Sequence, residues 1–95
     1  ELFALDLQAS IIDVKEFNVH LGGRGIRFIT DRGQIDIGQS NSVVRKMIDG
    51  QGHVPFLTDV YSAYFTLNAP VLSVTVTMQD GTRKERDFAV GFNSK

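Results

Sequence analysis

Residues 71–92 read VLSVTVTMQDGTRKERDFAVGF, and the spacing of the apolar residues in this stretch decides the fold class. Apolar side chains fall on every second position on both sides of Asp80-Gly81. Successive side chains of a strand point to opposite faces, so this spacing is typical of strands with one face on a core. The Asp-Gly dipeptide favours a tight hairpin turn, because glycine tolerates the positive φ that such turns require. The stretch therefore predicts two antiparallel strands, 71–79 and 82–92.

The same alternation extends over most of the chain. Residues 59–67 alternate and are followed by Pro70, which ends the strand because proline lacks a backbone donor. Residues 15–38 contain three alternating runs separated by the glycine-containing segments 22–25 and 31–33, which predicts a three-stranded antiparallel meander. The residues expected in the core include Phe65, Leu72, Val74, Val76, Val44 and Met47.

One short helix is predicted at about residues 41–49. A serine or asparagine at positions 40–42 can cap its first amides, and Gly50 stands where a left-handed C-terminal cap belongs. A helix of this length must dock on the sheet to persist, because short isolated helices are unstable. Residues 50–58 are predicted to be a loop. The apolar stripe of this helix consists of Val43, Val44, Met47 and Ile48.

The first twelve residues allow two interpretations. Phe3, Leu5 and Leu7 alternate with polar or small residues, which favours a strand. The spacing of Leu2, Leu5, Ala9 and Ile12 approximates that of a helix, which stays the alternative.

Together these elements predict an α+β fold. It is an antiparallel, strand-rich sheet or a partly closed barrel of about five to six strands, with the short helix packed on it. An OB-like barrel places its helix between the third and fourth strands, and the predicted element order is compatible with that topology. Residues 1–95 make one small domain. Because the chain starts at Glu1, we expect a processed protein or a domain excised from a longer chain.

Composition narrows the functional classes. The chain has no cysteine, which excludes disulfides and cysteine-ligated zinc but leaves the cellular compartment open. It has no apolar run near the roughly 18 residues that a membrane span needs. A net charge of -1 predicts no strong nonspecific attraction to nucleic acid. Within residues 24–46, however, five basic side chains stand against two acidic ones.

No histidine or carboxylate pattern indicates a metal site. Such a site would need His20 and His53 brought together with a carboxylate such as Asp36 or Asp59. The spacing of these residues does not require that arrangement, so no metal and no cofactor are predicted.

Candidate catalytic groups have simpler explanations. Ser40 and Ser42 stand where a helix cap is expected, and neither lies in a nucleophile-elbow motif. Asp31 and Asp36 could pair for acid–base chemistry, but hairpin ends collect aspartates for reasons of turn geometry. We therefore predict that the protein is not an enzyme.

The glycine-rich segment 22–25 is the best candidate for an anion contact. Consecutive amides in glycine turns can form a concave nest, and an arginine fork suits phosphate or carboxylate. The arginines that could contribute to this contact are Arg24, Arg27 and Arg32.

The strand 59–67 carries apolar or aromatic side chains on both faces. One short helix cannot easily cover both faces of a sheet, so the outer face is predicted to meet a partner or to close a barrel. The residues predicted on this outer face are Val60, Ser62, Tyr64 and Thr66. The leading hypothesis is a non-catalytic domain that pairs through this face or through an edge strand with another protein or a second copy.

Two alternatives stay open. An OB-like barrel would bind single-stranded nucleic acid by stacking bases on Phe28 or Tyr64, although the net charge disfavours it. An extracytoplasmic sensor domain would bind a small amphipathic ligand in a cavity.

Overall fold

The computed structural model describes residues 2–92, with the side chains of all of them except residues 2–5 and 21. The chain forms one α-helix and eight strands, with a short 3₁₀ turn, Leu21–Gly23, after the first strand. The elements are α1 (Leu2–Ser10), β1 (Glu16–His20), β2 (Gly25–Thr30), β3 (Gly33–Ser40), β4 (Val43–Ile48), β5 (Gln51–Leu57), β6 (Val60–Asn68), β7 (Val71–Met78) and β8 (Arg83–Ala89).

The strands form two antiparallel meanders. β1 to β5 make a five-stranded sheet in chain order, and β6 to β8 make a three-stranded sheet in chain order. The predicted meander over residues 15–38 is confirmed as β1, β2 and β3. The hairpin predicted at Asp80-Gly81 is also confirmed, and Gly81 has the expected positive φ of 91°. A strand-rich antiparallel α+β fold is therefore confirmed.

The helix predicted at residues 41–49 is wrong, because this segment is strand β4. Its residues pair with β3 from Ser40↔Val43 to Ile35↔Ile48. The apolar positions that suggest a helical stripe also suit a strand, since β-branched valines favour extended backbone. Pairing with β3 satisfies the backbone hydrogen bonds of this segment, as a helix would.

The predicted loop over residues 50–58 is likewise wrong, because Gln51–Leu57 is strand β5. Asp49 and Gly50 have φ values of 53° and 74°, the positive angles of a tight hairpin turn. Asp49-Gly50 is thus a second Asp-Gly hairpin rather than a helix C-terminus. The sequence signal for this turn is the Asp-Gly dipeptide, the same one that predicts the hairpin at residues 80–81.

The strand favoured for the first residues is wrong, and the helical alternative is confirmed as α1. Leu7 and Ile11 are fully buried, and the side-chain amide of Gln8 donates to the Ala89 carbonyl oxygen at 2.8 Å. The helix therefore anchors to the end of β8. The Phe3 and Leu5 side chains lie outside the part of the chain that the structure describes.

One hydrophobic core joins α1 and both sheets. Five of the six residues named for the core are buried; Met47 is the exception and lies half-buried on the outer face of β4, opposite Asp36. Phe17 and Phe28 stack with ring centroids 5.5 Å apart. The buried residues are Leu7, Ile11, Val14, Phe17, Ile26, Phe28, Ile35, Ile37, Val44, Val60, Ala63, Phe65, Leu72, Val74, Val76, Phe88 and Val90.

The partly closed barrel is wrong, because residues 2–92 form two separate sheets and eight strands rather than about five to six. β6 packs across β1, β2, β3 and β4, so the smaller sheet covers the larger one instead of closing on it. The OB-like order also fails, since the helix precedes β1. Across residues 2–92, no helix is long and apolar enough to cross a membrane.

Candidate interaction surface

The outer face of the three-stranded sheet carries hydroxyl groups. The residues that pair across β6 and β7 on this side are Ser62↔Thr77, Tyr64↔Thr75 and Thr66↔Ser73. Their chain neighbours, such as Ala63, Phe65 and Val74, are buried, so these hydroxyl groups point away from the core. We call Ser62, Tyr64, Thr66, Ser73, Thr75 and Thr77 the hydroxyl face.

Val60 does not belong to the outer face, which corrects the predicted interface. The pairing register shifts between Val60↔Met78 and Ser62↔Thr77, so Tyr61 is an extra residue on β6. Because the bulge reverses the alternation, Val60 turns into the core and is fully buried, whereas Tyr61 is 67% exposed. Ser62 is half-buried, and Tyr64 and Thr66 are exposed, as predicted.

The Tyr64 ring is held by the turn that follows β1. The Arg24 guanidinium lies 5.4 Å from the ring centroid, and its Nη2 donates to the Tyr64 hydroxyl at 3.5 Å. A methyl group built on Gly23 would lie 3.4 Å from the ring, so the turn stands within ordinary contact distance of the tyrosine. Tyr64 remains 46% exposed. An arginine above an aromatic ring is attracted to its π-electrons, which restrains the side chain at the surface.

The three arginines proposed for an anion contact lie in different places. Arg24 contacts Tyr64, and Arg27 donates from Nε to Asp36 Oδ1 at 2.7 Å on the outer face of the five-stranded sheet. Arg32 lies in the β2–β3 turn, at the rim of a groove beside α1. They therefore do not converge on one anion, and they form no continuous track for a nucleic-acid backbone.

The histidines and aspartates considered for a metal site are only partly brought together. His20 Nε2 lies 3.8 Å from Asp36 Oδ1, whereas His53 is exposed on β5 and Asp59 lies in the turn before β6. No three histidine, aspartate or glutamate side chains in the described chain are close enough together to hold a metal ion.

The serines and aspartates considered for catalysis are also dispersed. Ser40 ends β3, and Ser42 follows in the turn, where its carbonyl oxygen accepts from the Val60 N–H at 2.9 Å. Asp31 and Asp36 line different hollows, on opposite sides of the five-stranded sheet.

Gln39 joins the two sheets through its side-chain amide. Its side-chain Nε2 donates to the Tyr61 carbonyl oxygen at 3.0 Å, and its Oε1 accepts from the Ala63 N–H at 2.9 Å. The side-chain amide thus makes the hydrogen bonds that the backbone of a neighbouring strand would make along the edge of β6. No sequence signal distinguishes this glutamine from a surface residue near a strand end.

The structure defines an antiparallel α+β domain with an exposed, hydroxyl-bearing sheet face. A family model described as "Putative Competence protein ComGF" matches residues 1–84. The chain therefore belongs to this family. No curated protein and no solved structure matches the chain.

Proposed function

We propose that this protein is a non-catalytic accessory protein of competence that binds other proteins within a pilus-like complex. The observation that carries the proposal is the family match, which extends over residues 1–84 and so covers α1, the five-stranded sheet and the hydroxyl face, and ends at the start of β8. A small domain with two packed sheets offers broad surfaces for contacts with neighbouring subunits.

The dispersion of the reactive side chains supports a non-catalytic role. Nucleophilic catalysis needs a hydroxyl group and a base within hydrogen-bond reach, and acid–base catalysis needs groups that converge on one reacting atom. Ser40, Ser42, Asp31 and Asp36 meet neither requirement in their observed positions.

The proposed contact is the hydroxyl face, with Tyr64 at its centre. Tyrosine is enriched at energetically important contact positions, because its ring buries a large area while its hydroxyl group finds a polar partner. The Arg24 contact holds the ring in place, so little side-chain entropy is lost when a partner binds. Ser62 and Thr66, on the same strand, supply hydroxyl groups beside the ring. The partner is another protein or a second copy of this chain.

The function is tested first in cells. The gene is deleted from the source organism, and the frequency of transformation by added DNA is measured before and after complementation. We expect deletion to reduce transformation strongly and the wild-type gene to restore it. A deletion strain that transforms normally would refute the role in competence.

The surface is tested by Tyr64→Lys, with Tyr61→Lys as the matched control. Both tyrosines lie on β6 and are exposed, but only Tyr64 belongs to the hydroxyl face. We expect Tyr64→Lys to leave the chain cooperatively folded, with only the small loss of stability that follows from losing the Arg24 contact, and to weaken association by at least about tenfold, which corresponds to roughly 1.4 kcal/mol. Tyr61→Lys should leave both unchanged. Equal association of the two variants would contradict the assignment of this face, and unfolding by Tyr64→Lys would place Tyr64 in the core.

A further inference from the structure

A hollow on the outer face of the five-stranded sheet lies at the opposed glycines Gly25 and Gly38. Four strands meet there in one row, because the register pairs His20↔Gly25, Gly25↔Gly38 and Gly38↔Arg45. A methyl group built on Gly38 would lie 3.2 Å from the Gly25 Cα, so the two backbones approach closely. Glycine within a strand often marks such an approach or a site where a ligand meets the backbone.

Polar side chains surround this hollow, which has a volume of about 260 Å³. The imidazole of His20 covers Gly25, since a methyl group built on that glycine would lie 3.2 Å from Nε2. The floor is therefore the backbone at Gly38. Besides the Ile37 backbone position, the lining residues are His20, Arg27, Asp36, Gly38, Arg45 and Met47. We call this depression the Gly38 hollow.

Arg45 is the unpaired charge of the Gly38 hollow. Asp36 is balanced by Arg27 at 2.7 Å and also accepts from the Gln34 side chain at 3.4 Å. Arg45 is half-buried, and within residues 2–92 no carboxylate or other acceptor pairs with its guanidinium. An incoming anion can therefore pair with Arg45 without displacing a carboxylate of this chain, and the planar guanidinium offers it two parallel donors.

The size of the hollow and its charge favour a single carboxylate. One guanidinium matches one carboxylate through two parallel hydrogen bonds. A nucleic-acid backbone needs several cations along its path, whereas Arg27 is already paired with Asp36. Met47 adds an apolar wall that suits the methylene groups of a glutamate side chain.

We propose that the Gly38 hollow binds one acidic side chain of a partner protein, with Arg45 as the residue that pairs with its carboxylate. The proposal rests on the proposed function in naming a protein as the source of the carboxylate. It adds a second contact surface, on the outer face of the five-stranded sheet, whereas the hydroxyl face lies on the three-stranded sheet. One subunit can therefore contact two neighbours.

The site is tested by NMR titration of the ¹⁵N-labelled chain. The probe is N-acetylglutamate N-methylamide, the uncharged match is the corresponding glutamine compound, and inorganic phosphate is the third arm. We expect the glutamate probe to shift the Arg45 side-chain signal and the Gly38 amide signal, and the glutamine compound to leave them unchanged. Phosphate should bind more weakly than the glutamate probe, because it has no methylene groups to contact Met47.

Two variants complete the titration. Arg45→Gln should abolish the shifts, whereas Lys46→Gln should retain them, because Lys46 is the neighbouring cation on the other face of β4. Equal shifts by both neutral and acidic probes, stronger binding of phosphate, or shifts that survive Arg45→Gln would each overturn the proposal. Shifts of Arg45 and Gly38 on raising the protein concentration alone would mean that a second copy occupies the hollow, which also overturns it.

Complementation of the deletion strain distinguishes a failure of the partner contact from a failure of the competence function. If the wild-type gene restores transformation to the deletion strain, we expect the gene carrying Arg45→Gln to give a transformation frequency at least tenfold lower. The gene carrying Lys46→Gln should restore the wild-type frequency. Full restoration by Arg45→Gln would overturn the contact while the competence function stands. Normal transformation by the deletion strain would instead refute the proposed function, and the titration would still decide the carboxylate site.

Discussion

Positive φ angles at single residues set the hairpin turns of this protein. Gly81 has a φ of 91° between β7 and β8, and Asn41 has a φ of 55° between β3 and β4. Residues with a Cβ atom adopt this region at a steric cost, which is smallest for asparagine and aspartate and largest for β-branched side chains. The turn residues therefore decide where each strand reverses.

Gly81→Val is expected to destabilise the protein by about 1–2 kcal/mol, because valine does not tolerate the positive φ. A methyl group on Gly81 would meet no atom within 4 Å, so the cost is conformational rather than steric contact with neighbours. Chemical denaturation measures the effect. Gly81→Asn is the control and should recover part of the loss. Equal stability of valine and asparagine variants would contradict this explanation.

Asp80 makes the same turn sensitive to acid. The Thr82 N–H donates to the Asp80 carboxylate at 2.9 Å, and this hydrogen bond lowers the pKa of Asp80 below its ordinary value of 3.8. A lowered pKa in the folded state stabilises the fold above pH 3.8, and this contribution is lost as the pH falls through the folded-state pKa. NMR titration should show a lower midpoint for Asp80 in the folded chain than in urea. Identical midpoints would refute the hydrogen-bond effect.

At the scale of elements, β7 is the central strand of the smaller sheet. It pairs with β6 on one side and β8 on the other, and its alternate residues Leu72, Val74 and Val76 are buried. Such a strand has backbone partners on both edges and one face in the core. Its register therefore determines which side chains of the whole sheet face inward.

Val74→Asp is expected to abolish cooperative folding, because it places an unpaired charge at a position that is 1% exposed. The expected loss is more than about 4 kcal/mol. Thr77→Asp is the control, since Thr77 lies on the hydroxyl face opposite Arg83 and its new charge stays near water. Thermal unfolding followed by circular dichroism distinguishes the two. A Val74→Asp variant that melts within a few degrees of wild-type would contradict the observed register.

At the scale of the whole molecule, the two sheets meet along β6. The apolar side chains of β6 enter the common core, and the Gln39 side chain occupies its backbone edge at Tyr61 and Ala63. An edge with unsatisfied backbone groups against a second sheet would be costly. Gln39 therefore contributes to how the sheets are joined as well as to the local surface.

Gln39→Ala is expected to destabilise the protein by about 1–3 kcal/mol, because it leaves the Ala63 N–H and the Tyr61 carbonyl without this partner. Gln34→Ala is the matched control on the same strand, where the amide makes a longer contact of 3.4 Å to Asp36. Denaturation gives the stability, and hydrogen exchange should accelerate at Ala63 in the first variant only. Similar losses in both variants would argue against a specific role for Gln39.

Local sequence specifies the strands in which most apolar residues alternate with polar ones. The sequence predicts β1 to β3 and β6 to β8, because a period of two has no helical equivalent over several residues. The Asp80-Gly81 turn was predicted for a similar reason, since its residue types have a strong local preference. These features depend on each segment alone, so no knowledge of its neighbours was needed.

Packing and strand pairing resolve the segments whose local pattern fits more than one structure. The apolar pattern of residues 43–48 fits a helix or a strand, and these residues form strand β4 because they pair with β3. The pattern of residues 2–10 also fits a strand or a helix, and these residues dock on the core as helix α1. The bulge at Tyr61 shifts the inward–outward alternation of β6 by one residue, so that Val60 faces the core. A strict period of two does not predict this shift. The Gly38 hollow arises only when residues 38 and 45 face each other across strands. Contacts between distant segments set all of these features, and a sequence pattern does not specify which segments will meet.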